Sequence, residues 1–94
     1  MKDERFLEIS KAVSDPTRFA ILSRIAKAGE LGCAVLKDEF ELTPATISHH
    51  LKELTSADLV EIRREGKFHF YRVNHKPWTE YLQELARRVP APQK

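Results

Sequence analysis

The spacing of the apolar residues changes near residue 57, and that change limits the folds open to this chain. Up to that point they recur at helical spacing in four segments, at about 4–13, 16–28, 33–40 and 43–56. Two β-prone runs follow at 59–63 and 68–73, separated by a turn that contains Gly66. A last helical segment opens near Pro77 and stops before Pro90. The pattern predicts a mostly α-helical chain with one small β-hairpin, in the order helix, helix, helix, helix, strand, strand, helix.

Two of the predicted helices begin with the same local signal, Asp15-Pro16 in one and Thr43-Pro44 in the other. The side-chain oxygen of the first residue can accept from free backbone N–H groups, and proline suits the first helical position. The apolar stripe of the second helix is predicted to comprise Phe19, Leu22, Ile25 and Ala26. About three residues separate the third and fourth helices. That spacing is typical of a helix-turn-helix, and the hairpin after it predicts a winged helix-turn-helix.

The chain has 94 residues, so we expect a single domain over 1–94 with a frayed tail from about 90. Its 41% hydrophobic and 32% charged residues exclude collagen-like, disordered and membrane classes. No segment approaches the ~20 apolar residues of a membrane span. The charged start, Met1–Phe6, does not resemble a signal peptide. We therefore expect a cytoplasmic protein with no membrane partner.

The fourth helix, 43–56, has a face suited to reading DNA. With Ile47, Leu51 and Leu54 turned inward, the opposite face carries small or hydrogen-bonding groups near the helix N-terminus, where a recognition helix meets base edges. The predicted DNA contacts in this segment are Thr43, Ala45, Thr46, Ser48, His49 and Lys52. The alternative is a solvated polar face. His50 is either half-buried and hydrogen-bonded inside the protein or a DNA contact.

The hairpin has a basic tip. Arg63, Arg64 and Lys67 can reach phosphates or the minor groove, or they can serve solubility instead. Glu65 would oppose phosphate and is expected to point away. The net charge of +2 hides this local surplus, because residues 30–42 hold one basic and four acidic groups. Double-stranded DNA is the expected macromolecular partner.

The first and last helices carry more apolar side chains than a core of three helices and a hairpin needs. The residues concerned are Phe6, Leu7, Trp78, Tyr81, Leu82 and Leu85. Large apolar groups in the terminal helices of a small domain indicate a surface that a partner covers, and a two-fold homodimer is the commonest arrangement. The alternative is that both helices fold back on their own core.

These motifs resemble those of the ArsR/SmtB family of winged-helix repressors. The similarity spans about residues 5–88 and rests on the stretches Ser14–Arg18, Thr46–Leu54, Ala57–Val60, Arg63–Lys67 and Tyr71–Val73. The resemblance implies a homodimer formed by the first and last helices that binds an inverted-repeat operator. It also implies repression of the protein's own operon, with release when an effector binds.

The standard metal sites of that family are expected to be absent. The two cysteine positions of the family's Cys-x-Cys motif fall on Gly32 and Ala34, with Cys33 between them. One thiolate cannot satisfy a soft metal that takes three or four ligands. The last helix offers Glu80 and Glu84 but no histidine. A site built across a dimer from His75 and Glu80 is the remaining option, so no metal and no cofactor are predicted.

Cys33 has two interpretations, a thiol that senses oxidants or a small buried apolar residue. Three functions follow from the sequence. The first is a homodimeric DNA-binding repressor, and the second a winged-helix module that binds protein. The third is a repressor that responds to oxidation of Cys33. No Gly-rich phosphate loop, nucleophile elbow or pair of buried carboxylates points to an enzyme. The sequence names neither an operator nor a small-molecule effector.

Overall fold

The computed structural model describes residues 1–92, which form five helices and three strands. In chain order they are α1 Asp3–Val13, α2 Pro16–Ala28, β1 Leu31–Gly32, α3 Cys33–Glu39, α4 Pro44–Ser56, β2 Val60–Glu65, β3 Phe68–Val73 and α5 His75–Arg88. The predicted order is confirmed, with one added strand. After α5 the chain adopts no helix or strand up to Pro92. Residues 93 and 94 of the predicted tail lie outside the described residues.

The two predicted helix starts are confirmed at the level of single hydrogen bonds. The Asp15 carboxylate accepts from the backbone N–H of Arg18 at 2.8 Å, and the Thr43 hydroxyl accepts from that of Thr46 at 3.2 Å. Both contacts satisfy an N–H group that has no partner within its helix. At the other end of α2, Gly29 adopts a φ of +87°, a conformation that glycine takes without strain.

The sheet contains a strand that the sequence pattern did not reveal. β2 and β3 form the predicted antiparallel hairpin, and β1 pairs with the other edge of β3, which gives the order β1-β3-β2. In β1, Gly32 lies opposite Phe70, and a Cβ on this glycine would lie 3.4 Å from the Phe70 ring. A two-residue strand has no period to detect, and its partner is about forty residues away. Only the folded chain therefore shows it.

The hydrophobic core lies where α1, α2, α3 and α4 meet the sheet. Ile9, Ile21, Ile25, Leu36, Ile47, Leu51, Leu54, Leu59 and Val60 are its largest fully buried side chains. Two predicted positions were wrong, because Phe19 is 48% exposed and Ala26 is exposed too, whereas Ile21 is fully buried. Ile21, Leu22 and Ile25 form the buried stripe of α2, so Phe19 lies at its margin. No helix within residues 1–92 is long and apolar enough to cross a membrane.

The last helix begins earlier than predicted, at His75 instead of near Pro77. Proline lacks only a backbone N–H, and in the first turn of a helix that group has no acceptor within the helix. Pro77 therefore fits inside the first turn of α5. This places Trp78 and Tyr81 where α5 packs against the rest of the chain, with their rings 5.7 Å apart.

Candidate nucleic-acid interface

The exposed face of α4 is the one predicted from its periodicity. Ile47, Leu51 and Leu54 are at most 1% exposed, so they anchor the helix in the core. The residues predicted to contact DNA are all exposed, and they are Thr43, Ala45, Thr46, Ser48, His49 and Lys52. The helix therefore presents small and hydrogen-bonding side chains to solvent along one side, beginning at its N-terminus.

Two of these side chains bond to each other as well as to the backbone. The Thr43 hydroxyl donates to the Thr46 hydroxyl at 2.8 Å while accepting from the Thr46 backbone N–H. The hydrogen of Thr43 is thereby used inside the protein. The hydroxyl of Thr46 accepts in this pair, so its own hydrogen is available to an outside acceptor. Thr43 thus caps the N-terminus of α4, and the Thr46 hydroxyl can donate a hydrogen bond to a ligand.

The wing, which we define as β2, β3 and the turn between them, has two different faces. The register places Val60 opposite Val73, Ile62 opposite Tyr71 and Arg64 opposite His69. Successive side chains of a strand point to opposite sides, so these three pairs share one face. Since its first two pairs include buried residues, this face is the one turned toward the core. Arg64 and His69 extend the same face beyond the core.

Arg64 and His69 line a groove of about 290 Å³ between the wing and α4, together with Ser48 and Lys52. We call this the α4–wing groove. It joins predicted contacts from two separate elements, and no carboxylate among residues 1–92 lines it. His69 was missed in the sequence, although its alternation with the core-facing Tyr71 and Val73 could have indicated its orientation.

Arg63 lies on the other face of the wing, opposite Phe70. Its guanidinium donates to Glu30 at 2.7 Å and to Glu65 at 2.6 Å, and it lies 4.5 Å from the centre of the Phe70 ring. The hydrogen bond from Arg63 lowers the pKa of Glu30, and both carboxylates raise the pKa of Arg63. With its charge compensated twice, Arg63 joins the wing to the segment before β1.

Glu65 was expected to point away from phosphate, and it lies on the Arg63 face of the wing, opposite to the Arg64 face that lines the α4–wing groove. Its carboxylate pairs with Arg63 two residues earlier, because alternate residues of one strand share a face. Within the described part of the chain, no carboxylate lies within the 4 Å of an ion pair from Arg64 or Lys67. The ammonium of Lys67 lies 5.7 Å from the centre of the Phe68 ring. The uncompensated charge of the wing therefore belongs to Arg64 and Lys67.

Comparison with known proteins agrees with this arrangement. A family described as a helix-turn-helix domain matches residues 13–63. The chain is 43% identical over 70 residues to an HTH-type transcriptional regulator of Methanocaldococcus jannaschii. The aligned region covers 74% of this chain and 79% of that protein. It is 37% identical over 76 residues to the arsenical resistance operon repressor of Staphylococcus xylosus. This aligned region covers 81% of this chain and 71% of the repressor. This chain belongs to the ArsR family of helix-turn-helix transcriptional regulators. The predicted regulator function is thereby confirmed.

A solved structure shows the same fold for a relative of this ArsR-family chain. It is the homodimeric winged helix-turn-helix DNA-binding domain of a possible ArsR-family regulator from Mycobacterium bovis. The TM-score is 0.74 at 24% identity, and the match covers all of this chain and 94% of that one. The fold class predicted from the sequence is confirmed.

The residues predicted to form a dimer interface fall into two groups. Leu7, Leu82 and Leu85 are exposed, at 61%, 46% and 37%. Tyr81 is only 4% exposed, and its hydroxyl lies 2.8 Å from that of Ser10 in a hydrogen bond between α5 and α1. A partner cannot reach Tyr81, so its predicted place in the interface is corrected. It packs within its own chain because it lies on the side of α5 that faces α1.

Phe6 and Trp78 are intermediate between these groups. Both are partly buried against the core, and the Phe6 ring lies 5.3 Å from that of Tyr81. The terminal helices therefore fold back on the core on one side only, and the dimer alternative stays a prediction for the other side. One side of α1 and α5 folds onto the core, and the leucines on the other side stay exposed.

A group of charges joins the ends of α1 and α5. Glu84 is 8% exposed and is hydrogen-bonded by Arg87 and Arg88. Arg87 first, and then Arg88, lower the pKa of Glu84 to about 2. Arg88 also pairs with Asp3 at 2.7 Å and lies 4.2 Å from the centre of the Phe6 ring. These contacts hold the two terminal helices side by side.

His50 is buried, with 9% of its surface exposed, so it is not a DNA contact of the exposed face. Its Nδ1 has no hydrogen-bond partner among the described residues and lies 3.9 Å from the Asp15 carboxylate. The pKa of Asp15 is lowered chiefly by the backbone N–H of Arg18 and secondarily by the charges of His50 and Arg18. The expected internal hydrogen bond of His50 is not formed with any residue in 1–92.

Cys33 and its neighbours do not fit the thiolate metal site that the family implies. Burial raises the pKa of the Cys33 thiol, and the nearby Lys37 only partly opposes this. The family's two ligand positions hold Gly32 and Ala34, which have no donor side chain. Within residues 1–92, no three His, Cys, Asp or Glu side chains are arranged to hold a metal ion. A reactive thiol needs a lowered pKa, so the geometry also gives no support to a redox role.

Proposed function

We propose that this chain is a homodimeric repressor that binds an inverted-repeat operator through α4 and the wing. The observation that carries the proposal is the α4–wing groove. There Ser48 and Lys52 of α4 lie beside Arg64 and His69 of the wing, and no carboxylate among residues 1–92 lines the groove. The phosphate backbone of DNA supplies most of the charge that such a surface can neutralise.

The proposed contacts have separate tasks. Ala45, Thr46, Ser48 and His49 read base edges, because they lie near the N-terminus of α4 and are small or hydrogen-bonding. Lys52, Arg64 and Lys67 contact phosphates and position the protein without reading sequence. Thr43 acts through the helix start that it caps. Arg63 fixes the wing in place instead of contacting DNA, since its charge is held by Glu30 and Glu65.

The proposed dimer forms through the exposed leucines Leu7, Leu82 and Leu85, with Phe6 and Trp78 at the edge of the contact. The homodimeric relative from Mycobacterium bovis supports the stoichiometry. A two-fold axis between two copies would set the two α4 helices about 34 Å apart, one turn of the DNA double helix. An inverted repeat of two half-sites matches this symmetry.

We further infer a single domain that acts in the cytoplasm by binding and not by catalysis, with no metal and no cofactor. The cytoplasm follows from the proposed ligand, because DNA lies there in the bacteria and archaea from which the relatives come. The proposal of no metal follows from the donor set around Cys33.

The test is DNA binding to the upstream region of the protein's own gene, measured by fluorescence anisotropy. The affinity should exceed that for a shuffled sequence of equal length. It should also fall steeply between about 50 and 200 mM salt as counterions are released. A dimer that binds neither DNA at low salt contradicts the proposal and favours the winged-helix module that binds protein. Repeating the titration with zinc, cadmium, arsenite and peroxide tests the absence of metal and redox control.

A further inference from the structure

A second groove, of about 510 Å³, lies between the wing and the first halves of α3 and α4. We call it the α3–wing groove. Its walls are mainly apolar and include Cys33 and Val35 of α3, Ile47 of α4, and Phe68 and Phe70 of β3. Sites for small organic molecules have about this volume and this character.

Two apolar side chains in this groove are exposed without a partner in the proposed assembly. Val35 is 45% exposed and Phe68 is 57% exposed. The exposed leucines on α1 and α5 are accounted for by the proposed dimer, which uses a different face. Neither Val35 nor Phe68 belongs to either terminal helix, so neither is among the proposed dimer contacts. Adjacent exposed apolar groups mark binding sites more often than isolated ones do.

The charges around the groove specify what it can bind. Lys37 and Lys67 both line it, and no carboxylate among residues 1–92 does. Lys67 lies over the Phe68 ring, and Lys37 forms an ion pair of 3.8 Å with the exposed Asp38, which solvent screens. A mainly apolar groove lined by two ammonium groups matches a molecule with an apolar body and an anionic head. We propose that the α3–wing groove binds a small organic acid, an aromatic or aliphatic carboxylate.

Occupancy of this groove would oppose DNA binding, and this part of the inference rests on the proposed function. The groove is lined by Ser48 and Lys67, which are proposed DNA contacts. A carboxylate bound to Lys67 pairs with the ammonium group that would otherwise contact a DNA phosphate. A ring packed against Ser48 blocks access of a DNA base to one of the residues proposed to read base edges. The organic acid would therefore release the regulator from its operator.

The first experiment measures binding of 2-naphthoate to the intact protein by calorimetry and NMR, beside its neutral analogue 2-naphthalenemethanol. The acid should bind about threefold more tightly than the alcohol, the size of an exposed charge contact. Replacing Lys37 and Lys67 by Gln together should remove that preference, and Lys27→Gln, on the exposed end of α2, should leave it unchanged. Val35→Ser should weaken the binding of both ligands about fivefold because it removes an apolar wall, whereas Val89→Ser should not.

Four results would overturn the site. They are equal affinities of wild-type protein for the acid and the alcohol, indifference to Val35→Ser, NMR shifts confined to α1 and α5, and no saturable binding. The second experiment adds saturating 2-naphthoate to the operator titration, where a rise in the dissociation constant is expected. If the acid binds the groove and the operator affinity is unchanged, the competition is wrong and the DNA function stands. If the protein binds no DNA in the absence of the acid, the proposed function fails, while calorimetry still decides the site.

Discussion

Arg63 and Arg64 are adjacent in the chain and lie on opposite faces of the wing. Arg63 is opposite Phe70 and pairs with Glu30 and Glu65, whereas Arg64 is opposite His69 in the α4–wing groove. Successive side chains of a strand point to opposite sides, so these two arginines face away from each other. One arginine therefore holds the wing to the body of the protein, and the other keeps its charge available for a phosphate.

Replacing each of these arginines by alanine should separate the two roles. Arg64→Ala should weaken binding to all DNA sequences and reduce the slope of log affinity against log salt by about 0.9 for each phosphate that the variant no longer neutralises. Arg63→Ala should leave that slope closer to the wild-type value and lower the thermal stability instead. Anisotropy titrations over a salt series measure the first effect and calorimetric melting the second. Identical slopes for Arg64→Ala and the wild type would remove the wing from the interface.

Thr46 should carry sequence recognition. Thr46→Val removes the hydroxyl that is free to donate, and specific binding should weaken by about 1–3 kcal/mol while binding to random DNA barely changes. Thr46→Ser keeps the hydroxyl and is the matched control. Thr43→Ala should instead lower the free energy of unfolding by about 1 kcal/mol, because it removes the cap of α4. Equal losses of Thr46→Val on specific and random DNA would show that this residue does not read bases.

Glu84 should stabilise the fold in a pH-dependent way. Its pKa in the folded state is lowered from 4.5 to about 2 by Arg87 and Arg88. A lowered carboxyl pKa stabilises the protein above the unfolded value, so this contribution is complete above about pH 5 and is lost as the pH falls from 4.5 toward 2. Glu84→Gln should lower the melting temperature at pH 7 and flatten its dependence on pH in that acid range.

The control for this experiment is Glu80→Gln, an exposed position on the same helix. All melts are compared at one protein concentration, because dimerisation adds to stability. A Glu84→Gln protein that melts as the wild type does at both neutral and acid pH would contradict the assignment.

Substitutions of the adjacent residues Leu82 and Tyr81 should have different effects on the dimer and on folding stability. Leu82→Glu places a charge on an exposed leucine of the proposed dimer face, so sedimentation velocity should show a shift toward monomer. Tyr81→Phe removes the hydrogen bond to Ser10 and should cost about 1 kcal/mol of folding stability while the dimer persists. A Leu82→Glu protein that remains dimeric at micromolar concentration would place the interface elsewhere.

Much of the fold followed from local patterns. The caps at Asp15 and Thr43 act within three residues, so their hydrogen bonds are encoded by neighbours in the chain. The inward and outward sides of α4 follow from the helical period, because Ile47, Leu51 and Leu54 lie on one side. The hairpin was predictable because both strands and Gly66 lie within one short segment.

The remaining features depend on contacts between distant segments. β1 exists because β3 offers it an edge, and Arg63 is neutralised because Glu30, 33 residues earlier, comes within 2.7 Å. Tyr81 is buried against α1 and lies outside the proposed dimer face because its hydroxyl bonds to that of Ser10, 71 residues away. Side-chain type and period predict which residues are exposed or basic. They do not say which distant group comes within hydrogen-bonding distance, since that depends on how the helices and the sheet pack together.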